Sequence, residues 1–308
     1  MNNFDDIIST STQKRQVDTE YSKDDYAAKK KAERDGVFEL SDKTAIEVST
    51  DSSTFQKFLD VQSKFNRYSA VNALLILAQK PDAKRIGNFD YWKDKGGFIK
   101  SGQSSFSIFE PHEYTKDDGT PGVGYNIKKM FDVSQIDTRK IRANTQQREP
   151  NDRTLLTALV SKASGTITGV DKIPQIVPHD MQNQYGGATN PETDEIYILK
   201  GKDFTEMFTA LAIELSYNEI LYRTDDTTNA RFNAHCSAYM LCKKYGISTD
   251  SFDFSNAPEM FRLIPDVDPQ AIKYELSVMR DAMDSISGRM ERHLDSVLQK
   301  PIKSQEAR

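Results

Sequence analysis

Two stretches of this 308-residue chain set aromatic rings among cationic and amide side chains. The run Lys64-Phe65-Asn66-Arg67-Tyr68-Ser69-Ala70-Val71-Asn72 places Asn66, Arg67, Ser69 and Asn72 around a helix whose other face is apolar. Further on, Phe89-Asp90-Tyr91-Trp92-Lys93 carries the only tryptophan, with Lys93, Lys95 and Lys100 beside it. Rings that stack on bases and cations that follow phosphates are the parts needed to hold single-stranded nucleic acid without reading its sequence, each stack contributing about 1–3 kcal/mol. A lone tryptophan also serves as a core residue and lysines before a hairpin as a solvated rim, so composition alone leaves both readings open.

Charge gives a local clue rather than a global one. The net charge of -5 argues against a histone-like binder. Between Lys84 and Lys100, however, Lys84, Arg85, Lys93, Lys95 and Lys100 outnumber Asp90 and Asp94, an excess of three on an acidic chain. The acidic N-terminus is unlike a secretory leader, and the longest apolar run, Ala73 to Ala78, falls far short of the roughly 20 residues that span a bilayer. Cys236 and Cys242, six apart in a helical pattern, make neither a disulfide framework nor a CxxC site. A cytoplasmic protein with free thiols and no membrane partner is expected.

The elements that must position these residues follow from periodicity. Residues 1–45 are polar, include Lys29-Lys30-Lys31, and show no sustained apolar period, which predicts a mobile or partly helical arm. From Phe55 to Leu77 apolar residues recur at threes and fours, predicting one or two helices that end near Pro81. Phe98-Ile99-Lys100, Gly102 and Ser105 to Phe109 predict a hairpin, and Tyr125 to Val133 a further strand. The polar stretch Asn144 to Asp152 marks a domain boundary. Beyond it, Leu155 to Ala163, Phe204 to Tyr222 and Ala230 to Tyr245 read as helices, and Ile173 to Val177 and Glu195 to Leu199 as strands. The last helix has Asp268 as N-cap and Pro269 at its first position. Its stripe of Ile272, Leu276, Met279, Met283, Ile286, Met290, Leu294 and Val297 runs for roughly 40 Å. That seam either packs on its own chain or pairs with a second copy through residues 269–299.

A family resemblance sharpens the first constellation. The anchors Phe65-x-x-Tyr68-Ser69-x-x-Asn72-x-Leu74-Leu75-Ile76-x-x-Gln79-x-Pro81-x-Ala83, then Phe89-x-x-Trp92, then Gly96-Gly97-x-x-Lys100-x-Gly102, resemble the N-terminal domain of the ArdC antirestriction family. They are also similar to LtrC-like proteins of conjugative elements, and Phe131-Asp132-Val133-Ser134-Gln135 looks like the block that closes that domain. The resemblance covers residues from about 50 to 140 and implies single-stranded DNA binding by a protein of a plasmid, integrative element or phage. This chain departs from the family at Gly97-Phe98 and Gln103-Ser104-Ser105, where charged residues are usual, which implies weaker phosphate contact.

The same resemblance extends to a metallopeptidase domain. Zincin peptidases hold zinc with histidines at i and i+4 of one helix, a glutamate beside the first acting as base, and a third ligand from a following helix. The helix Thr209 to Glu219 resembles that element, and Ala234 to Gly246 its successor. In that register Ile213 and Tyr217 stand where the histidines belong, Glu214 keeps the base position, and His235 stands where a glutamate ligand is usual. Isoleucine offers no lone pair, so a degenerate, metal-free, non-enzymatic domain without cofactors is expected, with Glu214 and His235 as a candidate hydrogen-bonded pair. His112, His179, His235 and His293 are accompanied by no GxSxG, P-loop or dinucleotide-binding glycine pattern.

The expectation is therefore an α+β protein: an arm over 1–45, an ArdC-like single-stranded-DNA-binding module over 46–143, a mainly helical zincin-like domain over 152–250, and a long helix within 251–308. DNA contacts are expected from Asn66, Arg67, Tyr68, Ser69, Asn72, Trp92, Lys93, Lys95 and Lys100. Two rivals stand beside it: an inhibitor that binds a host defence nuclease through the peptidase-like domain, and an active peptidase with an atypical site.

Overall fold

The computed structural model describes residues 23–116, 118–139, 141, 149–190, 192–224, 228–264 and 268–298. It is a mixed α+β structure with a long N-terminal helix and a long C-terminal helix that pack on one another. Helix α1 (Lys23–Thr50) leads into α2 (Ser52–Lys64) and α3 (Ala70–Gln79), then strand β1 (Ile86–Gly87), the short α4 (Phe89–Asp94), β2 (Phe98–Ile99), β3 (Phe106–Thr115), β4 (Pro121–Asp132) and β5 (Ile136–Asp137). The second half comprises α5 (Asp152–Val160), β6 (Ile167–Val170), β7 (Gly187–Asn190), β8 (Glu195–Leu199), α6 (Phe204–Leu221), α7 (Ala230–Tyr245), the short α8 (Ala257–Arg262) and α9 (Pro269–Leu298).

Residues 23–45 are not an arm but most of α1, while residues 1–22 lie outside the described chain. The C-terminal half of α1 buries Val37, Ser41, Thr44, Ala45 and Val48 against α3 and α9. Two of those five are hydroxyl residues whose oxygens are satisfied locally, Ser41 on the Phe38 carbonyl at 2.8 Å and Thr44 on the Leu40 carbonyl at 2.7 Å. A buried stripe interrupted by small polar residues leaves no apolar period to read.

Helices α2 and α3 begin at side-chain caps, Asp51 accepting from the Thr54 amide at 2.7 Å and Ser69 from the Asn72 amide at 3.3 Å. Strands β3 and β4 form a long antiparallel ribbon in register from Phe106 opposite Met130 to Thr115 opposite Pro121. Phe98-Ile99 does not pair with Ser105–Phe109 as expected; it pairs antiparallel with β5. Sheet order β1-β4-β3 leaves β3 at an edge. Helix α3 closes part of that edge with two amide side chains seven residues apart. Asn72 donates to the Phe109 carbonyl and accepts from its amide, both at 2.8 Å, and Gln79 does the same with Ser107 at 2.8 and 2.9 Å. Two side chains thus stand in for a neighbouring strand, satisfying backbone groups that would otherwise be buried unpaired.

In the second half the expected strand Glu195–Leu199 forms as β8, the central strand, parallel to β6 and antiparallel to β7. Ile173–Val177 is irregular, and the strands β6 and β7 carry that part of the sheet. Helix α6 is buried on all sides from Phe208 to Ile220, the pattern of a central helix. Asp268 caps α9, accepting from the Gln270 and Ala271 amides at 2.8 and 2.7 Å. Its stripe packs within the chain, against α1, α5, α6 and α7, with Ile272, Leu276, Met283, Ile286 and Met290 fully buried, so the seam is not a free face for a second copy. One hydrophobic cluster runs from Ala45 through α2, α3, α6 and α7 to Leu294. The boundary read over Asn144 to Asp152 therefore marks no separation of cores; residues 144–148 of it lie outside the described chain. Among the described residues no helix is long and apolar enough to cross a membrane.

Candidate nucleic-acid interface

A groove of about 930 Å³ opens where the loop after α2, the start of α3, β1, α4, the β3–β4 ribbon and α9 meet. Its rings are Tyr68, Tyr91 and Tyr125, backed by Phe38 and Phe109; its cations are Arg67, Lys128, Lys273 and Arg280. Each ring has a fixed support. Phe38 and Phe109 lie 4.3 Å apart, and Tyr125 stands edge-on to them at 6.4 and 5.8 Å. Tyr91 lies across β1 at Gly87, where a β-carbon would fall 2.1 Å from the Tyr91 ring, so only glycine admits that ring. Tyr68 packs edge-on to Phe65 at 6.2 Å, and burial, with a smaller effect of Tyr91, raises its phenol above the ordinary value and keeps it a hydrogen-bond donor.

The loop that carries Arg67 and Tyr68 is pinned by α9. Arg280 Nε donates to the Asn66 and Tyr68 carbonyls at 3.0 and 3.1 Å, and Asn66 donates to Asp284 at 2.9 Å while accepting from Lys244 at 3.1 Å. Arg67 is 80% exposed and reaches Glu291 at 3.1 Å. The groove cations are all matched to carboxylates: Lys128 to Glu110, Lys273 to Asp42, and Arg280 to Asp281 at 2.8 Å. At Arg67 and Lys128 the pairs are wet and weak, and a phosphate can exchange with the carboxylate, whereas Lys273 is buried on Asp42 and Ser41.

Residues 42–158 match the N-terminal domain of the anti-restriction factor ArdC. The ArdC-type segment supplies most of the groove, from Arg67 to Met130, while Phe38, Lys273 and Arg280 come from helices outside it. Two solved structures are similar to the chain: the metal-free antirestriction ArdC protein from the R388 plasmid, at 15% identity and a TM-score of 0.49 over 73% of this chain and 86% of that one, and its Mn(II)-bound form, at 16% and 0.48 over 72% and 85%. No curated protein matches.

Of the expected contacts in the ArdC-type segment, Arg67, Tyr68, Ser69 and Asn72 line the groove and the other five do not. Trp92 is 1% exposed, its indole N–H donating to the Phe131 carbonyl at 3.0 Å and its ring edge-on to Tyr91 at 5.1 Å. No face of it is free to take a base; it is the buried support on which the stacking-competent Tyr91 rests. Asn66 and Asn72 are buried and their amides are spent on structure, as is the Ser69 hydroxyl on its cap. Lys93 and Lys95 are exposed but stand outside the groove, and Lys100 donates to the Ser134 carbonyl at 2.7 Å. In a six-residue helix only one of two adjacent aromatics can point inward, and the larger, less polar Trp92 does. Tyr125 and Lys128 were legible only as members of a strand, since nothing in the sequence says which face of the ribbon is covered.

The residues expected to form a degenerate zincin site are organised instead around an ion pair. Glu214 is 0% exposed and accepts from Arg231 Nη1 with both oxygens at 2.9 and 2.8 Å, from Asn183 at 2.8 Å and from Thr189 at 2.7 Å. The Arg231 guanidinium also lies 4.0 Å over the Tyr217 ring. Strand β7 comes this close to α6 because residue 187 is glycine: a β-carbon there would lie 2.5 Å from the Asn183 amide nitrogen and 3.1 Å from Glu214. Ile213 offers no donor atom, Tyr217 is covered by the guanidinium, and every oxygen of Glu214 is engaged, so these residues do not fit a zinc shell. Among the described residues no three His, Cys, Asp or Glu side chains gather as metal ligands.

His235 does not pair with Glu214. It packs 4.7 Å from Phe252 and 5.5 Å from Phe254, and desolvation pushes its imidazole down to about 4 against a small opposing pull from Asp253. Arg231, a cation four positions before His235 on the same helix face, is the functional side chain that the sequence pattern did not single out. A cleft of about 500 Å³, lined by Tyr185, Ile213, Arg231, His235 and Asp253, remains beside it.

Proposed function

We propose that this is an antirestriction protein of mobile DNA that binds single-stranded DNA in the groove between the β3–β4 ribbon and α9, with a second half that keeps a peptidase-like core without peptidase chemistry. The observation that carries the reading is the set of three braced phenol rings, Tyr68, Tyr91 and Tyr125, sharing one groove with four cations. The match of residues 42–158 to the N-terminal domain of an anti-restriction factor supports it. Bases stack on the rings with little regard to identity, while the cations follow the phosphates, and the affinity falls steeply with salt. Fluorescence anisotropy with oligo-dT and with duplex of equal length, across a salt series, tests this. Tighter binding of the unpaired strand is expected, and equal or absent binding of both would overturn it.

For the second half, the guanidinium seated on Glu214 supports a catalytically silent domain. Metal analysis of protein purified without added metal is expected to find no stoichiometric zinc, and finding one zinc per chain would restore the peptidase reading. The cleft beside Arg231 and His235 supports a rival role in holding a host defence protein. Capture of such a partner that survives nuclease treatment of the lysate would favour that rival.

A further inference from the structure

We propose that the N-terminal half of α1 is the second wall of a longer single-strand track, joined to the groove at Tyr125; this rests on the reading of the groove as a DNA site. A separate hollow of about 450 Å³ lies between α1 and β4, lined by Tyr26, Lys30, Lys31 and Arg34 on one side and Tyr125, Asn126 and Ile127 on the other. Tyr125 lines both this hollow and the groove, so the two are consecutive compartments divided by one ring. That ring is 43% exposed and is braced from behind by Phe38 and Phe109. A base stacked on Tyr125 would send its phosphates one way toward Lys128 and the other way toward α1.

The α1 wall is built for that role in a manner the rest of the helix is not. Tyr26, Lys30 and Arg34 are spaced four apart on one face, with Lys31 beside them. Lys30 sits 5.9 Å over the Tyr26 ring. Tyr26 itself is 59% exposed, an aromatic with nothing to bury it where the helix has left the core. The helix is anchored by Val37, Ala45 and Val48, so its basic end is held in place beside the ribbon without contributing to the core. Glu33, on the same helix, is taken by Lys129 at 2.6 Å and by Lys30 at 3.4 Å. Lys31 and Arg34 have no ion pair or hydrogen bond among the described residues. Every groove cation must give up a carboxylate to take a phosphate, whereas these two have no carboxylate to give up among the described residues. They are therefore the stronger phosphate ligands of the track.

The test uses the full chain, a Lys31→Ala/Arg34→Ala double variant whose exposed sites leave the core untouched, and oligo-dT probes of about 5 and about 16 nucleotides, a range that brackets the site sizes of such modules. The double variant is expected to bind the longer probe about tenfold more weakly, with the slope of log affinity against log salt reduced by about 1.4, since each phosphate contact on a single strand contributes about 0.7. The shorter probe, which the groove alone accommodates, is expected to bind the variant and the unaltered protein equally. An unchanged slope with the longer probe would overturn the α1 wall while leaving the groove intact, as would an equal loss with both probes, which would mark a general field effect. If the unaltered protein binds neither probe, the groove reading fails and the extension fails with it.

Discussion

A buried tryptophan and an exposed tyrosine next to it divide the work at the candidate interface, and the division is measurable. Replacing Tyr91 or Tyr125 by Ala removes a ring that can stack on a base while leaving the core in place, and each is expected to weaken oligo-dT binding by about 1–3 kcal/mol with little change in stability. Trp92→Phe keeps an apolar ring but leaves the Phe131 carbonyl without its donor, which costs about 1–3 kcal/mol of folding stability. Its effect on binding should vanish under conditions where the variant is fully folded. A denaturant melt paired with anisotropy on each variant separates these outcomes. His235 carries a second residue-level prediction. Its imidazole is held near 4 when folded against 6.5 when free, so the unfolded chain binds the proton first. Stability is present in full above about pH 6.5 and declines as the pH falls toward 4, by at most about 3 kcal/mol. His235→Phe should flatten that decline in denaturation midpoints compared at pH 7 and pH 5, and an unchanged slope would show that the histidine is not the group responsible.

At the scale of elements, the decisive contact is between α3 and the edge of β3. Asn72→Ala orphans the buried Phe109 amide and carbonyl, and the expected loss is about 1–3 kcal/mol for each group left unbonded, read as a lowered denaturation midpoint. Asn72→Asp should recover less than half of it, because a carboxylate accepts from the amide but cannot donate to the carbonyl. The same contact explains how far the elements were legible. Helices with continuous apolar stripes, α2, α3 and α9, were readable from spacing alone, and so was the N-cap at Asp268. Helix α1 was not, because Ser41, Thr44 and Ala45 fill its buried face and mimic a polar tail. The partner of β2 was not legible either, since two-residue strands carry no period and Phe98-Ile99 found β5 rather than its sequence neighbour. Strand β7 reads Gly187-Ala188-Thr189-Asn190, small and polar residues that look like a loop yet are wholly buried beneath α6.

Across the whole molecule, the two halves share one core and the groove depends on both. Arg280 and Lys244, from α9 and α7, hold the loop that presents Arg67 and Tyr68, so the candidate interface is assembled by elements more than 150 residues away in the chain. No reading of the ArdC-type segment alone could place those contacts, because burial of a loop carbonyl against a distant arginine leaves no local mark. The types of residue were legible, aromatics beside cations and a glutamate without histidines; which ring faces solvent and which cation neutralises Glu214 were settled by packing. The most direct measurement of the central claim is photocrosslinking of the full chain to a halogenated single-stranded oligonucleotide, with the attached peptides identified by mass spectrometry. The account predicts attachment at Tyr68, Tyr91 or Tyr125. Attachment confined to residues 195–245, or none from folded protein at low salt, would contradict it.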